Sequence, residues 1–309
     1  MSERSLMVLG TASQVPTKRR NHNGYFLKWD GEGFLFDPGE GIQRQMTRFG
    51  VSVSEITKIF ITHFHGDHCL GLAGVIQRIS LDRVAHVVEI YYPKSGQRYY
   101  ENLLHASIFH NVAKIRPCPI QGEGEIFRDQ SLTISTLPLS HSVETWGYRI
   151  QERDSVNLIP DKLKEFGLRG PVVGKLKSEG EVFWGGRRIF LEEVSRFRRG
   201  QVMAFVMDTR FCANAVELSR GADMLVCEAT YLSSEAEEAR EHGHLTAAQA
   251  AEIARRGGVG LLVLTHFSQR YFSFRPFLEE ARRIHRNVVV AEDGKRIGFP
   301  RRRREIGGE

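Results

Sequence analysis

No stretch of this 309-residue chain approaches the roughly 20 consecutive apolar residues needed to span a bilayer. The opening MSERSLMVLG has a four-residue apolar run and no small-residue cleavage signal, so it reads as a first strand and not a secretory peptide. Cysteine is scarce. Cys69, Cys118, Cys212 and Cys227 lie far apart with no Cys-x-x-Cys spacing, which argues against a disulfide framework and a structural cysteine-zinc site. The expected compartment is therefore reducing and cytoplasmic. Also missing are a 20 to 50 residue repeat and a low-complexity linker. Charge of one sign does not dominate: 43 Lys plus Arg against 37 Asp plus Glu give +6, which permits a polyanionic partner without arguing for one. With 41% hydrophobic and 26% charged residues the chain is not disordered.

What is present is an alternation. Short apolar runs bounded by Gly, Asp or Pro predict strands at residues 6–9, 25–29, 34–36, 59–61, 203–207, 224–226, 261–264 and 288–290. Helical periodicity separates them at 42–49, 70–79 and 95–109, and again after Ala213, Ala247 and Pro276. The class is α/β. Thr246-Ala-Ala-Gln249 is a capping box that predicts a helix ending at Gly257-Gly258. Residues 159–200 break the pattern, with ten Lys/Arg against six acids and too little apolar periodicity to predict a core. They read as a solvated insertion or as a basic arm that grips phosphates. The tail Arg301 to Arg304 reads as a solvated end.

Histidine carries the chemistry. Thr62-His63-Phe64-His65-Gly66-Asp67-His68 packs three imidazoles and a carboxylate into six residues on a loop leaving a predicted strand. These donors suit zinc or a similar divalent ion. Two histidines two apart can share one ion while the Asp-His pair turns to a second, which suggests a dinuclear site. Single residues of the right type follow at predicted strand ends: His141, Asp208 and His266. An aspartate such as Asp208 can bridge two ions about 3.5 to 4 Å apart, and such a pair serves hydrolysis.

The His-x-His-x-Asp-His loop, followed by His, Asp and His in this order, resembles the metallo-β-lactamase superfamily. That resemblance implies a four-layered αβ/βα sandwich with the metals between two sheets. Phe36-Asp-Pro-Gly-Glu-Gly-Ile-Gln43, Val15-Pro-Thr-Lys-Arg-Arg-Asn21, Cys227-Glu-Ala-Thr230, His244-Leu-Thr246 and Leu264-Thr-His-Phe-Ser-Gln-Arg-Tyr271 are similar, over essentially the whole chain, to the short-form tRNase Z family. The resemblance implies a zinc-dependent endoribonuclease that removes 3′ trailers from precursor tRNA, leaving a tRNA 3′ hydroxyl. It assigns His63, His65 and His141 to one zinc, and Asp67, His68 and His266 to another. Asp208 bridges the two; manganese or another divalent ion is an alternative. It further implies that Asp67 takes a proton from the attacking water, and that His244, oriented by Glu228, protonates the leaving ribose oxygen. Lys18, Arg19 and Asn21 would meet the acceptor end and Arg270 a phosphate, or else an internal carboxylate. Residues 155–200 would form a flexible arm that holds the tRNA, through Gly170, Pro171, Lys175 and Lys177, in an otherwise single-domain chain. A homodimer is implied as well. Two departures stand out: Met207 precedes Asp208 where the family commonly has Gly, and Cys227 stands where it commonly has His. A superfamily hydrolase of small phosphodiesters or other esters is the competing expectation.

Overall fold

The computed structural model describes residues 4–300; the tail Arg301 to Arg304 and the first three residues lie outside the described residues. Two seven-stranded mixed sheets form the frame. In the first, the strands run in the order Arg296–Gly298, Arg4–Gly10, Gly24–Trp29, Glu32–Phe36, Lys58–Phe60, Val88–Pro93 and Ile115–Ile120. In the second, the order is Val288–Val290, Leu261–Thr265, Met224–Glu228, Val202–Val206, Trp146–Glu152, Leu132–Pro138 and Gly124–Arg128. Each sheet has a parallel half, where buried strands feed loops at their carboxyl ends.

Alternation along the strands sorts side chains into layers. Phe26, Leu35, Ile59 and Ile90 pack with Met46, Leu72, Ile76 and Ile79 of the helices Ile42–Phe49 and Leu72–Leu81. On the second sheet Ala204, Leu225, Cys227 and Leu264 pack with Leu218, Ala250 and Phe277, from the helices Ala213–Ser219, Ala247–Gly257 and Arg275–Arg282. The opposite faces meet each other. Phe36 stacks on Phe205 with centroids 4.6 Å apart, Tyr25 meets Phe205 edge-on at 5.4 Å, and Tyr148 leans on Phe60 at 5.0 Å. Such pairs add about 0.5–1.5 kcal/mol each beyond their area burial. The result is a four-layered αβ/βα sandwich, as the resemblance implied.

The capping box at Thr246 forms: Thr246 Oγ1 accepts from Gln249 N, Gln249 Oε1 accepts from Thr246 N, and Gly258 at φ 64° ends the helix. Elsewhere the predicted bounds shift. The helix predicted at 70–79 is Leu72–Leu81, preceded by a separate turn, Gly66–Cys69; the helix predicted at 95–109 ends at Leu104. Beyond it residues 105–108 are all exposed before Phe109 returns to the core, so the apolar face is broken where the helix stops. Strands at Val88–Pro93, Ile115–Ile120, Leu132–Pro138 and Trp146–Glu152 were not predicted. Ile115–Ile120 carries Pro117 and Pro119 and lies at a sheet edge, where missing N–H groups cost no ladder bond.

A second compact unit comprises Arg128–Thr133 and Gln151–Gln201, and includes the segment expected as an arm. Ser155–Leu158 pairs antiparallel with Ser195–Arg198, and Glu181–Trp184 with Arg187–Phe190 across the left-handed Gly185 and Gly186. Contrary to expectation it has a core, built from Leu168, Leu176, Val182, Ile189 and Val194. These residues come from separate short elements, so no single periodic stretch announces them.

Candidate active site

The carboxyl ends of the parallel strands converge on one cavity of about 790 Å³, lined among others by His65, Asp67, His141, Asp208, His244 and Arg270. Directly after the short buried strand Lys58–Phe60, His63 and His65 leave on an extended loop; Asp67 and His68 lie in the one-turn helix Gly66–Cys69. The structure brings together three groups of metal-binding atoms: His63, His65, His141 and Asp208; Asp67, His68 and His266; and a third, Asp208, His244 and His266, that overlaps both. In the first, His63 Nε2 lies 2.9 Å from His65 Nδ1, which lies 3.4 Å from His141 Nε2; Asp208 Oδ2 is 3.6 Å from His63 Nε2 and 3.8 Å from His141 Nε2. In the second, Asp67 Oδ2 is 3.3 Å from His68 Nε2 and 3.6 Å from His266 Nε2. Asp208 reaches this group too, at 3.4 Å from His68 and 3.3 Å from His266.

These separations match ligands gathered around an ion: tetrahedral bonds of about 2.0–2.1 Å place ligand atoms about 3.3 Å apart. Asp208 Oδ1 and His266 Nε2 are buried without a hydrogen-bond partner, although each faces the other. Four of the five clustered histidines are also anchored through their other ring nitrogen. His63 Nδ1 meets Thr62 Oγ1 at 3.0 Å, His68 Nδ1 meets Asp37 Oδ2 at 2.8 Å, His141 Nδ1 meets the Gly243 carbonyl at 2.9 Å, and His266 Nδ1 meets Thr230 Oγ1 at 2.8 Å. This is how proteins fix metal-binding imidazoles. The residues therefore fit a dimetal site.

Asp37, Thr62, Thr230 and the Gly243 carbonyl escaped the sequence reading, although Asp37 and Thr230 lie in motifs that carried the family resemblance. Asp37 is fully buried and also accepts from Thr62 N and Thr62 Oγ1, both at 2.8 Å. In its motif Gly39 is required by crowding, since a Cβ there would sit 2.2 Å from the Asp67 carbonyl oxygen. Gln14 N donates to Asp67 Oδ2 at 2.8 Å, so the loop carrying Lys18 and Arg19 is tied to the cluster.

Electrostatics favour a positive charge at the centre. Burial opposes protonation of His68, but Asp208, Asp67 and Asp37 outweigh it and hold its pKa well above the ordinary value. Burial also pushes the Asp67 and Asp208 carboxyls up, and the surrounding histidines reverse this and hold both well below the usual range. His63, His65 and His141 are held low chiefly by burial, so their nitrogens are free to bind a cation.

His244 is partly buried beside the cluster. Its Nδ1 is 3.2 Å from Glu228 Oε1 and 4.0 Å from Asp208 Oδ2. Burial lowers its pKa, yet Glu228 and Asp208 raise it to about 9. Glu228 is itself fixed by Thr209 N, Thr230 Oγ1 and Leu245 N at 2.6, 2.7 and 3.1 Å. Cys227 turns the other way, into the helix-side core, where burial keeps its thiol protonated.

The remaining expected contacts divide. Lys18 and Arg19 are exposed in a groove beside the cavity. The Asn21 amide is committed to the loop, donating to the Glu40 and His22 carbonyls, so it shapes this region and does not reach outward. Arg270 lines the cavity but pairs with exposed Glu238 at 2.6 Å, not with an internal carboxylate. Gly170, Pro171, Lys175 and Lys177 belong to the second unit, where Gly170 at φ 65° and Pro171 start the helix Pro171–Glu179.

Fold and site together define a hydrolase of the metallo-β-lactamase fold. YhfI from Bacillus subtilis, a metallo-β-lactamase fold protein, superposes with a TM-score of 0.70 at 16% identity, over 96% of this chain and 99% of that one. A family model described as anti-Pycsar protein Apyc1 matches residues 4–141, under half of the chain, and stops short of Asp208 and His266. The human short-form tRNase Z superposes with a TM-score of 0.66 at 26% identity, covering 96% of this chain and 99% of its own. Ribonuclease Z of Nocardia farcinica is 53% identical over 98% of this chain and all of that protein. The chain belongs to the ribonuclease Z family.

Proposed function

We propose that this protein is the endoribonuclease that cuts the 3′ trailer from precursor tRNA, working with two zinc ions. The observation that carries the reading is the seven-residue His/Asp cluster with the His244–Glu228 pair set beside Asp208. Divalent ions, when bound there, supply acidification of water to a pKa near 7 and neutralise charge on the scissile phosphate. His63, His65 and His141 would hold one ion, Asp67, His68 and His266 the other, with Asp208 shared. Asp67, held in place by Gln14 N–H, takes the proton of the attacking water. So stabilised a carboxylate is a weak base, adequate only for water already made acidic. His244 carries a proton held by Glu228 and delivers it to the departing ribose O3′, leaving a tRNA 3′ hydroxyl. Thr209 N, Thr230 Oγ1 and Leu245 N prevent Glu228 from turning away.

Residues 155–200 serve as the flexible arm that holds the tRNA body. Support comes from ten bases against six acids over 159–200. We assign the protein to the cytoplasm as a homodimer. No helix among the described residues is long and apolar enough to cross a membrane. Leu81, Ile108 and Val112 expose apolar surface of the kind a second copy covers. Cleavage of a 3′-extended precursor tRNA, with metal content measured, tests the reading. Wild type should carry two metals per chain and release the trailer, and Asp208→Ala should lose both metal and cleavage. A wild type that holds two metals, hydrolyses small diesters and leaves the precursor intact would overturn it.

A further inference from the structure

Beside the metal cavity lies a groove of about 540 Å³, and the two share Leu70 in their linings. The loop runs from one into the other, Gln14 and Val15 lining the metal-binding cavity and Lys18 and Arg19 lining the groove. The opposite wall is the helix Ile42–Phe49, which contributes Arg44 and Arg48. All four cations are exposed, and none is in an ion pair with a described residue. Two acids face the groove. Glu40 approaches His22 at 3.9 Å, and Asp293 is spent on Asn21 N and Thr11 Oγ1, both at 2.7 Å. Four cations without an ion-pair partner among the described residues thus share one concavity with two acids, although like charges so placed repel each other.

We propose that this groove binds the single-stranded trailer of the substrate through its phosphates, and that Arg44 and Arg48 are trailer-binding residues. The proposal rests on the endoribonuclease reading above. The groove has the volume of a small-ligand pocket, which suits a short unpaired stretch and excludes the width of an RNA duplex. On the mature side of the cut the acceptor stem is a duplex; the trailer is the strand that fits. No aromatic side chain lines the groove, so there is no base-stacking platform, and binding by charge alone is indifferent to sequence. That suits a trailer, whose sequence differs between tRNA genes.

The test compares wild type with Arg44→Gln/Arg48→Gln on two precursors of one tRNA, carrying a one-nucleotide and a long trailer. The double variant should lose about tenfold or more in kcat/KM on the long trailer and little on the short one, at unchanged metal content. The salt dependence of kcat/KM for the long trailer should become shallower by about 0.7 per lost phosphate contact on a log–log plot. Equal losses on both precursors would place the groove on the mature side, and no loss would leave it without an RNA role; either overturns the proposal. If wild type cuts neither precursor, it is the endoribonuclease reading that fails.

Discussion

Asp37 offers the sharpest test of how the metal centre is held. Replacing it by Asn preserves volume but turns one carboxylate oxygen into an NH2. Oδ1 accepts from Thr62 N, and Oδ2 accepts from Thr62 Oγ1 and His68 Nδ1, all at 2.8 Å. The amide can turn two ways. In one it faces Thr62 N–H and orphans a buried donor, at a cost of about 1–3 kcal/mol. In the other it faces His68 Nδ1–H and releases the ring. Loss of such an outer hydrogen bond weakens metal binding by about 10–100-fold, or about 1.4–2.8 kcal/mol. At free zinc well above both dissociation constants, the same energy is missing from the metal-dependent part of the unfolding free energy. Urea unfolding of wild type and Asp37→Asn, each with chelator and at one fixed free zinc concentration, isolates that increment. Any effect on the metal-free fold cancels. Equal increments in the two proteins would refute the claim that Asp37 orients His68 for a metal.

Three further outcomes follow from single side chains. Glu228→Gln removes the charge that holds the His244 proton while keeping the neighbouring backbone groups partly satisfied; single-turnover kcat on precursor tRNA should fall about 10²-fold or more with metal content unchanged. Cys227→His, which restores the residue common in the family, forces a larger polar ring into the helix-side core and should destabilise by about 1–3 kcal/mol without raising kcat/KM, checked by urea unfolding and kinetics. Asp293 has its pKa pushed up to about 6, chiefly by burial. The folded state therefore retains a proton that the unfolded state has lost between about pH 4 and 6, and stability falls as pH rises through that window and then levels off. Asp293→Asn removes this slope, so its stability relative to wild type should improve by up to about 3 kcal/mol from pH 4 to pH 7 in urea titrations.

The legible parts of this molecule are those that depend on neighbours in sequence. Strands such as Met224–Glu228 and Leu261–Thr265 announce themselves as apolar runs because both faces are buried. Ile115–Ile120 does not, because its two prolines are harmless only at an edge that the sequence cannot reveal. The same division holds in the site. His63, His65, Asp67 and His68 are dense enough to be read as ligands, whereas His141, Asp208 and His266 gain meaning only from a shared context. Asp37 is followed by Pro-Gly and so reads as a turn; its partner His68 is 31 residues away. The core of the second unit is hidden for the same reason, its five buried residues coming from different short elements.

Backbone strain gives the site a common logic. Among the described residues, six non-glycine residues have positive φ, and four of them serve the centre: Gln14 at 57°, Asp37 at 43°, Asp208 at 45° and His266 at 59°. Each such residue costs on the order of 1–3 kcal/mol and persists only where its surroundings over-determine it. Here the constraints can be named. Gln14 N is held by Asp67, Asp37 N by the Phe60 carbonyl, Thr209 N just after Asp208 by Glu228, and Phe267 N just after His266 by the Thr11 carbonyl. Every one of these bonds ties a strained loop to a different strand end or to another loop of the cluster. Ligands from four separate segments are thereby fixed before any ion arrives. A centre assembled this way has little freedom left to lose on metal binding, which is why the outer hydrogen bonds, and Asp37 foremost, should govern affinity as much as the ligands do.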